Sequence, residues 1–429
     1  MTSPPTFLVE LLDEVLHFLH TDRDVESLRN CSYASQTLRP LSQKLLFQEI
    51  QFTYDMPGWD DIANKPTKRV TLWKAFNNLL DRSPHLSAYV KALDITQGAW
   101  IQMFEVDGID SLTKICNRLT NKQKISIRLD HKFGKAVMLF WALFPSKVRA
   151  ALLQSLTTPS MVEIDLSGIL DFPAALLSGF PTTLKKLTLR SLNVNASIIR
   201  QLDSAEFGPN NLQSTAQHRF SLDALVICGI PPPGNMFRWL TSNICPIDFR
   251  QVRDLVLAMN ESREVDDNFT DLKDLENFLE VFSSNLKRLT IRLGPPHGER
   301  LPWYLNRWKW WPYPIAPPDI ARTLPSLNFL ELECLWYGRA DDATRTLSWI
   351  NEILNKLSGM RMQTIVLNME IYMKEHELQE IGWDTLTSCL DDKLKSIIKL
   401  RFSGLKEGGK EIFLQNEILR SFPKGIVFV

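Results

Sequence analysis

The nearest approach to a catalytic or metal-binding pattern in this 429-residue chain is His376-Glu377-Leu378-Gln379-Glu380. In H-E-x-x-H, two imidazoles one helical turn apart hold zinc and the glutamate acts as base. Here Glu380 replaces the second histidine, which leaves one imidazole and the expectation of a charged, solvated helix. No G-x-G-x-x-G, G-x-x-x-x-G-K-[ST] or G-x-S-x-G occurs, so phosphate cradles and nucleophile elbows lack the glycines they need. Cys31, Cys116, Cys228, Cys245, Cys334 and Cys389 are scattered, with no close C-x-x-C pair, and read as reduced core residues rather than a disulfide framework or a zinc site. The expectation is a chain that is not an enzyme and that carries no metal and no other cofactor. A catalytic site assembled from dispersed residues is the enzymatic alternative.

Binding chemistry is better represented. Arg300 to Pro318 gathers Trp303, Tyr304, Trp308, Trp310, Trp311 and Tyr313 with Arg307, Lys309 and several prolines. Aromatic and arginine side chains are enriched at interface hot spots, and proline limits the ordering cost on binding. The segment is either an insertion that contacts a partner or a loop cover folded back on the scaffold. Charged residues also recur beside spaced aliphatics: Lys186, Thr188 and Arg190; Arg288, Thr290 and Arg292; Lys399 and Arg401; against them Glu163 and Asp165, and Phe329, Glu331 and Glu333. The candidate substrate contacts are Lys186, Arg190, Arg288, Arg292, Trp303, Trp308, Trp310 and Trp311. A mosaic of both signs suits a protein surface better than a uniform polyanion. Charge kept only for solubility is the simpler reading of any one of these residues.

The elements that must position these residues are strands. An L-x-x-L-x-L spacing recurs at Val90/Leu93/Ile95, Met161/Ile164/Leu166, Leu184/Leu187/Leu189, Leu222/Leu225/Ile227, Val252/Leu255/Leu257, Leu286/Leu289/Ile291, Leu327/Leu330/Leu332, Met362/Ile365/Leu367 and Ile397/Leu400/Phe402. From Ile164 onward the central aliphatics are 23, 38, 30, 34, 41, 35 and 35 residues apart, wider and less even than the usual leucine-rich repeat. Amphipathic helices are expected between copies, for example Leu272, Leu275, Phe278, Leu279 and Phe282, or Leu347, Ile350, Leu354 and Leu357. Such units bury their faces only by stacking, with parallel strands on a concave side and helices on a convex side. A doubly wound sheet is the alternative.

Ahead of the repeats, Leu8, Leu11, Leu12, Val15, Leu16 and Leu19 form one wide apolar helical face ending near His20. Asp24 is placed to cap a second helix carrying Val25, Leu28, Cys31 and Ala34, and a third is expected from Leu38 to Gln48. A face this wide on some forty residues suggests burial against a partner or the rest of the chain. The run Phe7-Leu8-Val9-Glu10-Leu11-Leu12-Asp13-Glu14-Val15-Leu16-His17-Phe18-Leu19, continued by Leu28-Arg29-Asn30-Cys31-Ser32, Arg39-Pro40-Leu41 and Leu46-Phe47-Gln48-Glu49-Ile50, resembles the F-box-like domains common in fungal proteins. Leu8 stands where the family usually has proline, and Leu38 where tryptophan is frequent.

The resemblance implies docking on the adaptor subunit of an SCF-type cullin-RING ubiquitin ligase through Leu8, Glu10, Leu11, Leu12, Val15 and Leu16. The fold class expected is therefore α/β: a three-helix F-box-like module over residues 1–50, a helical linker over 51–85 around Leu72 to Leu80, and an irregular leucine-rich-repeat solenoid over 86–429 that captures an as yet unknown protein substrate. A repeat scaffold outside any ligase, with the first helices as a cap, is the alternative.

Bulk properties are compatible with this. The 49 basic and 49 acidic residues cancel and no dense basic run stands out, which argues against nucleic acid or an anionic membrane surface as partner. Ala136 to Pro145, the longest apolar run, is about half the ~20 residues a membrane-spanning helix needs and reads as a buried helix. Glu10, Asp13 and Glu14 interrupt the first apolar segment, so no signal peptide is apparent, and an intracellular, cytoplasmic or nuclear protein is expected.

Overall fold

The computed structural model describes residues 6–52, 72–96, 107–128, 139–170, 172–190, 219–228, 237, 239–242, 245–259, 272–282, 284–293, 317–337, 340–357, 360, 362–372, 381, 397–403 and 427–428. The chain forms two compact units, one of residues 1–131, 136–168 and 179–184, the other of 132–135, 169–178 and 185–429. The protein is α/β, and its described strand pairs in the main sheet are parallel.

The first unit begins with α1 (Thr6–Thr21), α2 (Val25–Ala34) and α3 (Leu38–Leu46). Asp24 caps α2 as its sequence position suggests, its carboxylate accepting from the Ser27 N–H at 3.0 Å. One leucine from each helix, Leu16, Leu28 and Leu45, forms the core, with Leu19, Cys31, Leu38, Leu41 and Leu46 around it. Four parallel strands follow in chain order: β1 (Glu49–Phe52), β2 (Ala92–Thr96), β3 (Lys124–Arg128) and β4 (Glu163–Ser167). Between them lie α4 (Leu72–Arg82), α5 (Gly108–Arg118) and α6 (Ser146–Leu156), which bury Trp73, Phe76 and Leu80, then Leu112 and Ile115, then Val148 and Leu152. In the described part of the expected linker, 51–52 and 72–85, Gln51 and Phe52 belong to β1, which pairs with β2, and Phe52 packs on Trp73 with ring centroids 4.3 Å apart.

The second unit continues the same rule with β5 (Lys186–Arg190), β6 (Ala224–Cys228), β7 (Asp254–Met259), β8 (Arg288–Leu293), β9 (Phe329–Tyr337), β10 (Thr364–Tyr372), β11 (Ile397–Ser403) and β12 (Val427–Phe428). Its described long helices are α7 (Leu272–Glu280) and α8 (Ala340–Lys356), both over the apolar stripes expected. From α7, Phe278 stacks on Phe237 at 4.7 Å and meets Phe282 edge-on at 4.9 Å. Within each unit every described strand of the main sheet adds beside its predecessor, and no switch point of a doubly wound sheet occurs among the described strands.

Register aligns the repeated aliphatics. Leu187, Leu225, Leu255, Leu289, Leu330, Ile365 and Ile398 are cross-strand partners in one row, as are Leu189, Ile227, Leu257, Ile291, Leu332, Leu367 and Leu400 in the next. The last copy is thereby corrected: Ile398/Leu400 carry the motif rather than Leu400/Phe402, because the alternating apolar positions 398, 400 and 402 admit two phases and pairing selects one. A copy that the aliphatic pattern could not show is Lys122/Ile125/Ile127. Lys122 occupies the leading place held elsewhere by Val90, Met161 or Leu184 and is 1% exposed, its Nζ donating to the carbonyls of Cys116 and Leu119 at the C-terminal end of α5.

A backbone device fixes the step between repeats. In eight repeats the carbonyl two residues before the central aliphatic accepts two successive N–H groups of the following repeat. In the first unit Gln48 O receives Lys91 N and Ala92 N at 2.8 and 2.9 Å, and the pattern repeats at Lys91 O and Gln123 O. In the second it repeats at Lys185 O, Asp223 O, Arg253 O, Lys287 O and Asn328 O.

One apolar run departs from expectation. Of Ala136 to Pro145, residues 139–140 are extended and Trp141–Leu143 form a 3-10 turn; α6 starts only at Ser146. Pro145 sits at φ −53° and ψ 143°, ahead of the helix. Proline disfavours a helical residue before it, so the apolar run cannot continue into α6. No described helix is long and apolar enough to cross a membrane.

Candidate protein-interaction surfaces

Two surfaces collect the residues singled out from sequence. The first is α1, whose wide apolar face divides. Leu16 is 1% exposed in the three-helix core and Leu12 is half-buried, whereas Leu11, Val15 and Phe18 are 44%, 57% and 66% exposed. These last three lie at i, i+4 and i+7, so they share one stripe turned about 100° from the buried one. Glu10 is exposed beside them. The side chain of Leu8 lies outside the described residues. Of the expected docking residues, Leu16 is corrected to a core residue: it packs on Leu28 and Leu45 and has no surface to offer. Phe18 belongs to the exposed stripe although it is not among the docking residues expected from sequence. Val25 and Tyr33 of α2 are also exposed, at 51% and 75%.

The second surface is the polar face of the second unit's sheet. Arg292 and Glu333 are direct cross-strand partners on β8 and β9, and Arg292 Nε lies 2.5 Å from Glu333 Oε2. Glu331, two residues earlier, accepts from Thr290 Oγ1 at 3.4 Å and lies 3.9 Å from Arg401. Burial, and then repulsion from Glu333, push the Glu331 carboxyl above the ordinary glutamate range, against the opposing pull of Arg401, the Thr290 hydrogen bond and Arg292. Arg288 sits 3.6 Å from Asp254 and 4.3 Å above the Phe329 ring. The charge blocks of successive repeats thus neutralise one another across the strands, a consequence of the register that a strand-by-strand reading does not contain.

Among the other expected contacts, Lys186 and Arg190 stand half-buried at the two ends of β5. Trp303, Trp308, Trp310 and Trp311 lie outside the described residues, as do His376 to Glu380. The first unit has a similar arrangement, where Asp94 is nearly buried and is held by Arg128, whose Nε donates at 3.2 Å, and by Gln51 Nε2 at 3.3 Å.

The edge where the strands of the second unit begin was overlooked in sequence because its residues fall between the aliphatics that define the motif. Lys185, Asp223, Arg253, Lys287, Asn328 and Gln363 occupy equivalent places on successive strands, with Lys186, Ala224, Asp254, Arg288, Phe329 and Thr364 one residue further in. Among the described residues no group of three or more His, Cys, Asp or Glu is arranged to hold a metal ion. Comparison with known proteins finds no matching family model and no matching curated protein.

Proposed function

We propose that this chain is a substrate-recognition adaptor of an SCF-type cullin-RING ubiquitin ligase, an F-box-like module docking on the ligase adaptor subunit and a leucine-rich-repeat scaffold holding a protein substrate. The observation that carries the reading is the second apolar stripe of α1. Three large apolar side chains on one helical face are left in water after the module has completed its own core, which costs solubility unless a partner covers them. The resemblance of residues 7–50 to F-box-like domains supplies the partner. The sequential parallel strands support a leucine-rich-repeat scaffold, since stacked units leave one polar strand face continuous.

The test is co-purification with the purified ligase adaptor. The wild type is expected to bind and Leu11→Asp/Val15→Asp to fail while keeping the wild-type circular dichroism spectrum, because both side chains are already exposed. A correctly folded wild type that does not bind overturns the reading.

One observation favours a scaffold outside any ligase. The three helices belong to the same compact unit as β1 to β4, and His85 Nε2 lies 3.2 Å from Gln43 Oε1 of α3, so the module also serves as the cap of a repeat array. Both readings predict a stable N-terminal unit; only the first predicts adaptor binding.

A further inference from the structure

We infer that the edge where the strands of the second unit begin binds an extended acidic segment of a protein. Lys185, Arg253 and Lys287 are exposed there at one register position on β5, β7 and β8, and none of their side chains makes a hydrogen bond or ion pair with a described residue. At the next position Arg288 is already paired with Asp254, so the three cations stand against the one carboxylate of Asp223 along the edge. The chain as a whole carries no net charge, so this excess is local.

Geometry sets the class of partner. Adjacent strands lie ~4.8 Å apart, which puts the backbones at Lys185 and Arg253 ~10 Å apart and those at Arg253 and Lys287 ~5 Å apart. An extended peptide advances ~3.3 Å per residue, so acidic side chains two to four residues apart reach these cations within the play of lysine and arginine side chains. The carbonyls of Lys185, Arg253 and Lys287 are each already occupied by two N–H groups, so strand addition through the backbone is closed at these points and side-chain charge is what remains for recognition. Asp223 interrupts the cations. A peptide can set a neutral residue against it, whereas a phosphodiester chain carries a charge at every unit and meets it. In naming an acidic segment as substrate class, the inference rests on the adaptor role proposed above.

The experiment is fluorescence anisotropy with the full chain, in the absence of any ligase subunit, using a labelled peptide of alternating glutamate and serine. A lysine–serine peptide and a single-stranded oligothymidine are the comparison probes. The expected result is binding of the acidic peptide, weakened as salt shortens the screening length, and a loss of about tenfold or more in Lys185→Glu/Arg253→Glu/Lys287→Glu. A matched triple, Lys44→Glu/Arg82→Glu/Lys114→Glu, changes the net charge equally and should bind as wild type. The neutral Lys185→Gln/Arg253→Gln/Lys287→Gln should fall between, which separates charge from misfolding. The inference is overturned if the folded wild type does not bind the acidic peptide, if the matched triple loses as much, or if oligothymidine binds more tightly than the peptide. Adaptor co-purification, run on the same triple variant, reports on the ligase reading independently: normal docking with lost peptide binding supports both, and peptide binding without docking leaves the acidic-segment surface standing and removes the ligase.

Discussion

Lys122 shows how much one side chain can hide. A lysine in a leucine place reads as a broken repeat, yet its stem fills the core and its ammonium satisfies two carbonyls at the end of α5. Burial holds its pKa below the usual lysine range, with the nearby Cys116 thiol opposing. The folded chain therefore binds this proton less tightly than the unfolded chain, and stability rises with pH between the lowered folded value and the ordinary 10.5. Cys116 acts in the opposite sense: burial raises its thiol above 9.0, so the stability of its neutral form is lost as pH rises past that value. Because Lys122 and the Cys116 thiol act on each other, Lys122→Met is compared with wild type at 122 in a Cys116→Ser background, which removes the cysteine contribution from both. That difference in unfolding free energy should rise in favour of Lys122 from about pH 7 to about pH 10, measured by urea denaturation; a flat difference would show that Lys122 does not titrate there.

The other thiols allow a second check at this scale. Cys228, Cys245 and Cys334 are buried and Cys31 is half-buried, and burial pushes Cys245 up to about 12. Only thiolate reacts readily, so in a Cys389→Ser background a thiol reagent should label Cys31 well before Cys116, Cys228, Cys245 and Cys334. Peptide mapping after partial labelling reads the order, and early modification of Cys245 would contradict the burial described.

At the scale of elements, α1 separates two tasks that its sequence merges. Leu8 to Leu19 shows a single broad apolar face, and periodicity alone cannot say which half a partner covers, because both stripes obey the same spacing. Packing against Leu28 and Leu45 decides it. Leu16→Ala should therefore cost about 2–5 kcal/mol of stability, whereas Val15→Ala should stay within about 0.5 kcal/mol. Thermal denaturation of the two variants checks this, and equal losses would mean that the stripes are not divided as described. The strands were legible for a plain reason: each carries two inward aliphatics whose spacing is the strand period itself. Phase at Ile397–Phe402 was not, since alternation there is satisfied twice and only pairing with Ile365 and Leu367 resolves it. The ion pairs of Arg292 with Glu333 and of Arg288 with Asp254 were also beyond sequence, as they join residues 41 and 34 positions apart.

For the whole molecule, strand order equal to chain order means that each repeat touches its neighbours and little else within its unit. Damage should then spread by adjacency. In Leu289→Ala, a core truncation in β8, hydrogen exchange is expected to quicken first in β7 and β9 and to leave β2 and β3 of the first unit at wild-type protection. Uniform loss across both units would point to a single cooperative core instead.

The doubly occupied carbonyl between repeats has a further consequence, for how such a chain can change over time. Register there is held by main-chain atoms, so the side chain at that place takes no part in holding it, and lysine, aspartate, arginine, asparagine and glutamine are all found in it. Inheritance can therefore rewrite this column one letter at a time with little penalty in folding, and an engineer can do the same: the edge is a row of interchangeable characters on a fixed line of type.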